Sequence, residues 1–411
     1  MTSLLRQITD YSNRANPYPL YTELRKTPVA HDEGGPYVIS TYHDILSLLH
    51  DPRISSDARN RTASVADELQ QPDQEQETTL PPGFLKLDPP EHDRMRRMTN
   101  RPFGPPHSPQ RIESMRPELG EIVSGLIDSF ANGGRIDLVE QFSYPFPVTV
   151  ICRLLGVPRE DEPRFHTWAD TLAASLDPAP DEDHSERDRI AKEARTQLGM
   201  YLAGLIEERR KSPRDDMLSA LVTGGGPDGA MTTMEVLSTA ALLLIAGHET
   251  TVNLITNGML TLLRHPDVLQ RLRHEPRLAV PIVEELLRYE PPVQLLPQRT
   301  PIADIEVRGV TIPKGSSLWL VLASGNRDPQ RFEDPDRFDP DRKDIQHLGL
   351  GSGIHSCFGA PLARLETQLA LSELARRLDS PRLVEDPPPY RQNAVLRGPR
   401  HLNIEFDGVR A

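Results

Sequence analysis

The chain has 411 residues, 60 acidic and 47 basic side chains, a formal charge of −13 and two cysteines. The acid excess argues against nucleic acid as partner, because a phosphate-binding surface needs a basic stripe. Two cysteines leave no disulfide framework, so a reducing cytoplasm is expected, and no run reaches the roughly 18–20 apolar residues that span a bilayer. The start, Met1-Thr2-Ser3-Leu4-Leu5-Arg6-Gln7, lacks the apolar stretch of a signal peptide.

Helical patterning dominates. Helices are predicted at 17–26, 42–49, 90–103, 110–132, 146–155, 159–176, 183–211, 232–264, 266–273, 276–289 and 360–378. Short strands are predicted at 37–40, 304–307, 317–322 and 402–406, and 306–313 reads as a hairpin turning at Arg308-Gly309. The polar stretches 57–82 and 177–188 read as mobile loops rather than interdomain linkers. The expected class is mainly α with a small β region, in a single domain over 1–411 that is large enough to bury a bulky cofactor and a substrate cavity.

Chemistry-bearing residues appear along this framework. His92 and Arg96 lie four apart and share a helix face; alone they are ordinary bases. Thr232-Thr233-Met234-Glu235 has capping-box spacing, and residues 240–246 are apolar all round, which predicts a buried helix. Into it fall Gly247-His248-Glu249-Thr250-Thr251, where poor helix formers and back-bonding threonines predict a local break that admits water. An acid, Glu249, an alcohol, Thr250, and water in series make a proton path; His248 and Thr251 read as structural. Glu285 and Arg288, three apart, can form an ion pair.

The densest signal is Leu350-Gly351-Ser352-Gly353-Ile354-His355-Ser356-Cys357-Phe358-Gly359, followed by a helix with Pro361 near its first position. A sulfur at such a helix start meets free N–H groups and the positive end of the dipole, which favour the thiolate that a metal ligand must be. Gly351, Gly353 and Gly359 allow sharp turns and a flat approach to a large planar ligand, and His355 adds a donor for an acidic group on it. Cys152 has no such surroundings and reads as packing.

This loop resembles the haem-binding loop of the cytochrome P-450 monooxygenases, with Leu350 where the family usually has Phe. The resemblance extends to the distal helix motif at Glu249-Thr250, to the E-x-x-R pair Glu285 and Arg288, and to Pro335-Asp336-Arg337-Phe338. It implies haem b held between the long distal helix and the Cys-loop helix, with Cys357 as axial iron ligand. His92, Arg96, Arg299 and His355 become donors to the haem carboxylates, Thr250 and Glu249 the proton relay, and Arg337 the third member of a buried network with Glu285 and Arg288. It implies reductive activation of dioxygen and hydroxylation of a small molecule. Electrons are expected from a ferredoxin and its reductase, met by a basic patch of Arg94, Arg97, Arg101 and Arg364. The cavity lining is expected at Leu243, Leu244, Ala246, Val293, Leu295 and Leu296, which suits a bulky apolar natural product, free or carrier-bound. A monomer acting without a membrane or nucleic acid is expected. Ring coupling or desaturation, peroxide-driven oxidation and a non-catalytic haem sensor remain open.

Overall fold

The computed structural model describes residues 4–62, 83–104, 110–176 and 184–410. Most of the predicted 57–82 loop, and the 177–183 part of the second, lie outside them; 184–188 belongs to the helix His184–Lys211. Six helices position the site: α1 (Glu91–Phe103), α2 (Arg116–Asp128), α3 (Pro145–Leu155), α4 (Thr233–Arg264), α5 (Ala279–Tyr289) and α6 (Ala360–Arg377). The helix expected over 110–132 is two, Arg111–Ser114 and α2, because Pro117 has no N–H to donate to Glu113 O and suits only the first turn of a new helix.

Helix α4 runs through the main core. The predicted capping box starts it: Thr232 Oγ1 accepts from Glu235 N–H at 3.2 Å, and Glu235 Oε2 accepts from Thr232 N–H at 2.7 Å. Every residue from 251 to 262 is buried. Its buried hydroxyls are satisfied by back-bonding, as Thr256 to Val252 O and Thr261 to Asn257 O, both at 2.7 Å. Gly258 lets α5 and α6 press close, since a Cβ there would meet Leu286 at 3.0 Å and Leu371 at 2.9 Å. That contact fixes α6, and with it the loop carrying Cys357.

The main sheet has five strands, labelled here β1 (Val29–His31), β2 (Tyr37–Ile39), β3 (Ile54–Ser55), β4 (Leu296–Pro301) and β5 (Leu318–Leu320). Their order is β1-β2-β5-β4-β3, with only the β2–β5 pair parallel. Strand β4, implied at Arg299 by the resemblance, shows no strand pattern of its own, because its two prolines and mixed polarity hide it. The predicted hairpin forms from Ile305–Val307 and Val310–Ile312, with Arg308 and Gly309 both at positive φ as a tight two-residue turn requires. Among the described residues no helix is long and apolar enough to cross a membrane.

Candidate active site

The Cys357 loop is pinned at both ends before it reaches the sulfur. Asn326 Oδ1 accepts from Leu348 N–H at 2.7 Å, and Gly349 lies so close to α5 that a Cβ would fall 2.1 Å from Leu287 O. Gly353, at φ 69°, packs equally tightly on Leu49 O, so it serves this approach rather than a flat contact with a ligand. Gly351 has φ 65°, and Gly359 has open space where a Cβ would stand. Cys357 N–H donates to Leu350 O at 2.8 Å. Next to Cys357 in the chain, the Phe358 ring packs with its centre 4.3 Å from that of Phe103 and 5.6 Å from that of Phe84.

Cys357 is exposed rather than packed, so its sulfur borders an open cavity. Burial pushes its thiol up; the Gly359 and Ala360 N–H groups and the Arg96 and Arg364 charges oppose this without overcoming it. The helix-start N–H groups thus act on the sulfur in the expected direction, toward thiolate, while burial acts against it.

The four expected carboxylate donors converge on this cavity. The His92 and His355 rings lie 4.4 Å apart. Burial, with the charges of Arg299, His92 and Arg96, pushes His355 down to about 3, which keeps it neutral. Arg96 donates to Ser356 O at 2.7 Å. Arg299 stands on β4 beyond a register irregularity between Leu296 and Arg299, which re-aims the strand. His92 Nε2 and both ring nitrogens of His355 are buried without a hydrogen-bond partner. Buried polar atoms are rarely left so, and these mark a place for an acidic ligand.

The opposite wall is α4. Ile245 and Ala246 are exposed, and Ala241, Leu242, Gly247 and Thr250 are partly so, between the buried stretches 236–240 and 251–262. Gly83 presses on Leu242 and Phe84 touches Phe358, so one segment joins this wall to the sulfur side. Leu243 and Leu244, expected in the lining, pack instead into the main core, because each step along a helix turns by about 100°. Leu295 is likewise core, packed in the N-terminal cluster, while Val293 and Leu296 are half-buried.

Helix α4 is unbroken through Gly247, contrary to the expected break. The back-bonds are present, Thr250 Oγ1 to Ala246 O at 2.8 Å and Thr251 Oγ1 to Gly247 O at 2.9 Å, but the backbone ladder absorbs them. Glu249 points away from the open strip, into the protein. Arg391 pairs with its Oε1 at 3.2 Å, and Asn253 lies 3.5 Å from the same oxygen. Arg391 had no local signal in the sequence; it arrives from the far C-terminal loop. His248 is neutral and structural, pushed down to about 3 by burial, Arg391 and His166, and packed 4.6 Å from Tyr144.

Glu285 and Arg288 are fully buried and paired twice at 2.7 Å. Arg288 also donates to Asn326 O, Pro335 O and Arg337 O at 2.7–3.0 Å. Arg337 is not the third side chain: it is two-thirds exposed and pairs with Asp339. Arg342, mostly buried, reaches Glu285 at 3.4 Å instead, because the turn at Asp339 brings it back over α5. The expected basic patch is also corrected. Arg94 pairs with Glu235 at 2.6 Å, and Arg97 and Arg101 pair with Asp228 at 2.9 and 3.1 Å, so these charges clamp the segment before α4. Arg364 pairs with Glu284 at 2.6 Å.

Glu284 gives a pH test. Burial pushes its carboxyl up, but His347 and Arg364 outweigh burial and hold it at about 2. A depressed folded pKa contributes stability above the unfolded value, lost as pH falls through the folded one. Urea midpoints of the Glu284→Gln variant and the parent should therefore differ at pH 6 and converge between about pH 4.5 and pH 2. An unchanged gap at pH 2 would exclude the linkage.

A sulfur facing a cavity, orphaned imidazole nitrogens, guanidiniums at its edge and an aliphatic far wall fit a flat apolar metal complex bearing carboxylates. The comparisons agree. Residues 10–406 match the family profile of cytochrome P-450. The chain is 41% identical over 95% of its length to the cytochrome P-450 monooxygenase PikC of Streptomyces venezuelae, covering 91% of that protein. It is 38% identical over 93% of its length to the vitamin D(3) 25-hydroxylase of Pseudonocardia autotrophica, covering 92%. The ligand-free crystal structure of Mycobacterium smegmatis CYP164A2 superposes with TM-score 0.85 at 41% identity, covering 98% of this chain and 99% of that one. The chain therefore belongs to the cytochrome P-450 family, whose members carry a haem iron, and it is a monooxygenase.

Proposed function

We propose that this monooxygenase binds haem b and hydroxylates a bulky, largely apolar small molecule of secondary metabolism, using electrons from a ferredoxin and its reductase. The observation that carries this reading is the open strip of α4, aliphatic from Leu242 through Ile245 and Ala246 and ending on the Thr250 hydroxyl. The bound haem iron supplies activation of dioxygen and transfer of one oxygen atom.

The chain's own residues do the rest. Cys357 holds the iron, and His92, Arg96, Arg299 and His355 hold the carboxylates. The Thr250 hydroxyl hydrogen is committed to Ala246 O, which leaves the oxygen's lone pairs toward the cavity, where they hold a water as acceptor. Glu249, which Arg391 holds on the inner side of α4, is the acid assigned to the proton supply, and it serves that water only by turning out of the ion pair. An intact acid and alcohol favour dioxygen over peroxide as oxidant, because peroxide brings its own protons. Leu242, Ile245 and Ala246, with Val293 and Leu296, place an apolar body and exclude bulk water; a polyketide, terpenoid or peptide-derived product, free or on a carrier, suits them. Vitamin D(3), for which one relative is named, is an apolar molecule of this kind. The protein acts as a single-domain cytoplasmic monomer.

The test begins with a panel of such compounds titrated into the ferric protein. A ligand that shifts the Soret band to the blue is then turned over with a surrogate ferredoxin. Thr250→Ala should keep consuming electrons while product per electron falls at least about ten-fold, with hydrogen peroxide making up the difference. Full coupling in that variant would remove Thr250 from the relay.

A further inference from the structure

A hairpin near the C-terminus touches the molecule at two functional places. At its base Tyr390 bridges Pro399, and Arg391 N–H donates to Gly398 O at 3.1 Å. Its tip is folded by Asn393, whose Oδ1 accepts from Val395 N–H at 2.8 Å and Leu396 N–H at 3.1 Å. The tip is tied to the segment just before β4. Gln294 N–H donates to Val395 O and Arg397 N–H to Pro292 O, both at 2.8 Å, and Leu396 bridges Val293. Val293 and Leu396 are both half-buried, and Val293 stands in the wall that continues to Leu296.

The base of the same hairpin lies on α4. Gly398 packs so tightly that a Cβ there would fall 2.3 Å from Asn253 Oδ1. One turn earlier on α4, Glu249 Oε1 pairs with Arg391 Nε at 3.2 Å, and both residues are buried. Glu249 also stands one turn beyond Ile245 and Ala246, so its backbone position shares their open face and only its side chain turns inward. A change of rotamer, with no movement of α4, is enough to carry the carboxyl to the Thr250 side. What opposes that change is the Arg391 charge, because parting a buried pair leaves each partner uncompensated. The place of Arg391 is set in turn by a hairpin whose other end is hydrogen-bonded to the cavity wall.

We infer that Arg391 is a positioning residue for the proton supply: it stores Glu249 inward, and the hairpin that carries it links this ion pair to the cavity wall at Val293, so that a shift of that wall loosens the pair. The inference rests on the proton supply assigned to Glu249 above. Coupling of this kind needs an element with two arrangements, and the Glu249 side chain, paired or turned out, is that element.

Infrared spectra of the ferric holoenzyme read the carboxyl directly, with Glu249→Gln to assign its band. The parent should lack a protonated-carboxyl band from Glu249. Arg391→Met should show it, because a buried carboxyl without its counter-charge keeps a proton, and Arg391→Lys should not. Asn393→Ala, which loosens the tip and leaves Arg391 in place, should show a fraction of the Arg391→Met band; should Arg391→Met not fold, this variant carries the test. With a surrogate ferredoxin and no cavity ligand, Arg391→Met should consume electrons about ten-fold faster than the parent, the weight of one charge-assisted hydrogen bond, and Asn393→Ala less so. No band in Asn393→Ala would remove the hairpin from the coupling, and parent-like electron consumption in an Arg391→Met protein that shows the band would make the pair purely structural; either result overturns the inference. Adding Glu249→Gln to Arg391→Met should return consumption to the parent's rate. A rate that stays high in the double variant would instead overturn the assignment of the proton supply to Glu249.

Discussion

Cys357→Ser is expected to remove the thiolate signature from the ferrous–CO spectrum and to lower turnover more than about 100-fold. That figure is the upper end of what losing a group behind a metal ligand does, and here the ligand itself is lost. The substitution changes one atom, so packing survives. Cys357 N–H still donates to Leu350 O, and Phe358 still stacks on Phe103 and Phe84. What changes is the donor. A serine oxygen is far more basic than sulfur, and burial, which already pushes the thiol up, opposes its ionisation still more. The variant should therefore fold, with an unfolding midpoint near the parent's when both are stripped of cofactor. Thiolate-type spectra and activity near the parent's in the serine variant would show that another residue holds the iron.

Glu285→Ala is expected to have the largest effect on stability. The pair it breaks is fully buried, and removing one partner of such a pair costs about 3–5 kcal/mol, because the other charge stays behind in the core. Against a total of about 5–15 kcal/mol this is roughly a fifth or more of the protein's stability. The damage extends beyond the pair. Glu285 Oε1 also accepts from Asp339 N–H at 2.8 Å and faces Arg342, while Arg288 holds the carbonyls of Asn326, Pro335 and Arg337. These contacts fold the segment that leads into the Cys357 loop, so cofactor content should fall with stability. Arg288→Met should be no milder, since it strands those carbonyls as well as the Glu285 carboxylate. Glu284→Ala is the control one residue away. Its partner Arg364 is about a third exposed, and such a pair is worth about 1 kcal/mol or less. Urea midpoints and cofactor content of the three variants decide the point; equal losses for Glu284→Ala and Glu285→Ala would show that burial is not what makes the pair matter.

Some of this was legible from residue order alone. Long-period patterns and caps belong to local backbone physics, so α4 with its capping box, α6 behind its proline and the Arg308-Gly309 hairpin follow from neighbours in the chain. The same holds for the Cys357 loop, where glycines, a histidine and a helix start lie within ten residues. The pairing of Glu285 with Arg288 is one helix turn and was equally visible.

What the chain order could not decide is whatever depends on which distant segment arrives. Arg342 rather than Arg337 completes the Glu285 network because a turn at Asp339 reverses the chain. Arg94, Arg97 and Arg101 look like a free basic face until Glu235 and Asp228 are folded against them. Arg391 reaches Glu249 across more than a hundred residues. The lining of α4 turned on rotation: an all-apolar helix carries no stripe to say which side is open, so packing on α3, α5 and α6 selected Ile245 and Ala246 over Leu243 and Leu244. Local sequence determined the Cys357 loop, the placing of Glu249 beside Thr250 and the helices that carry them. Tertiary structure decided which charges are neutralised and which wall is open, because burial and long-range pairing exist only once the chain has closed on itself.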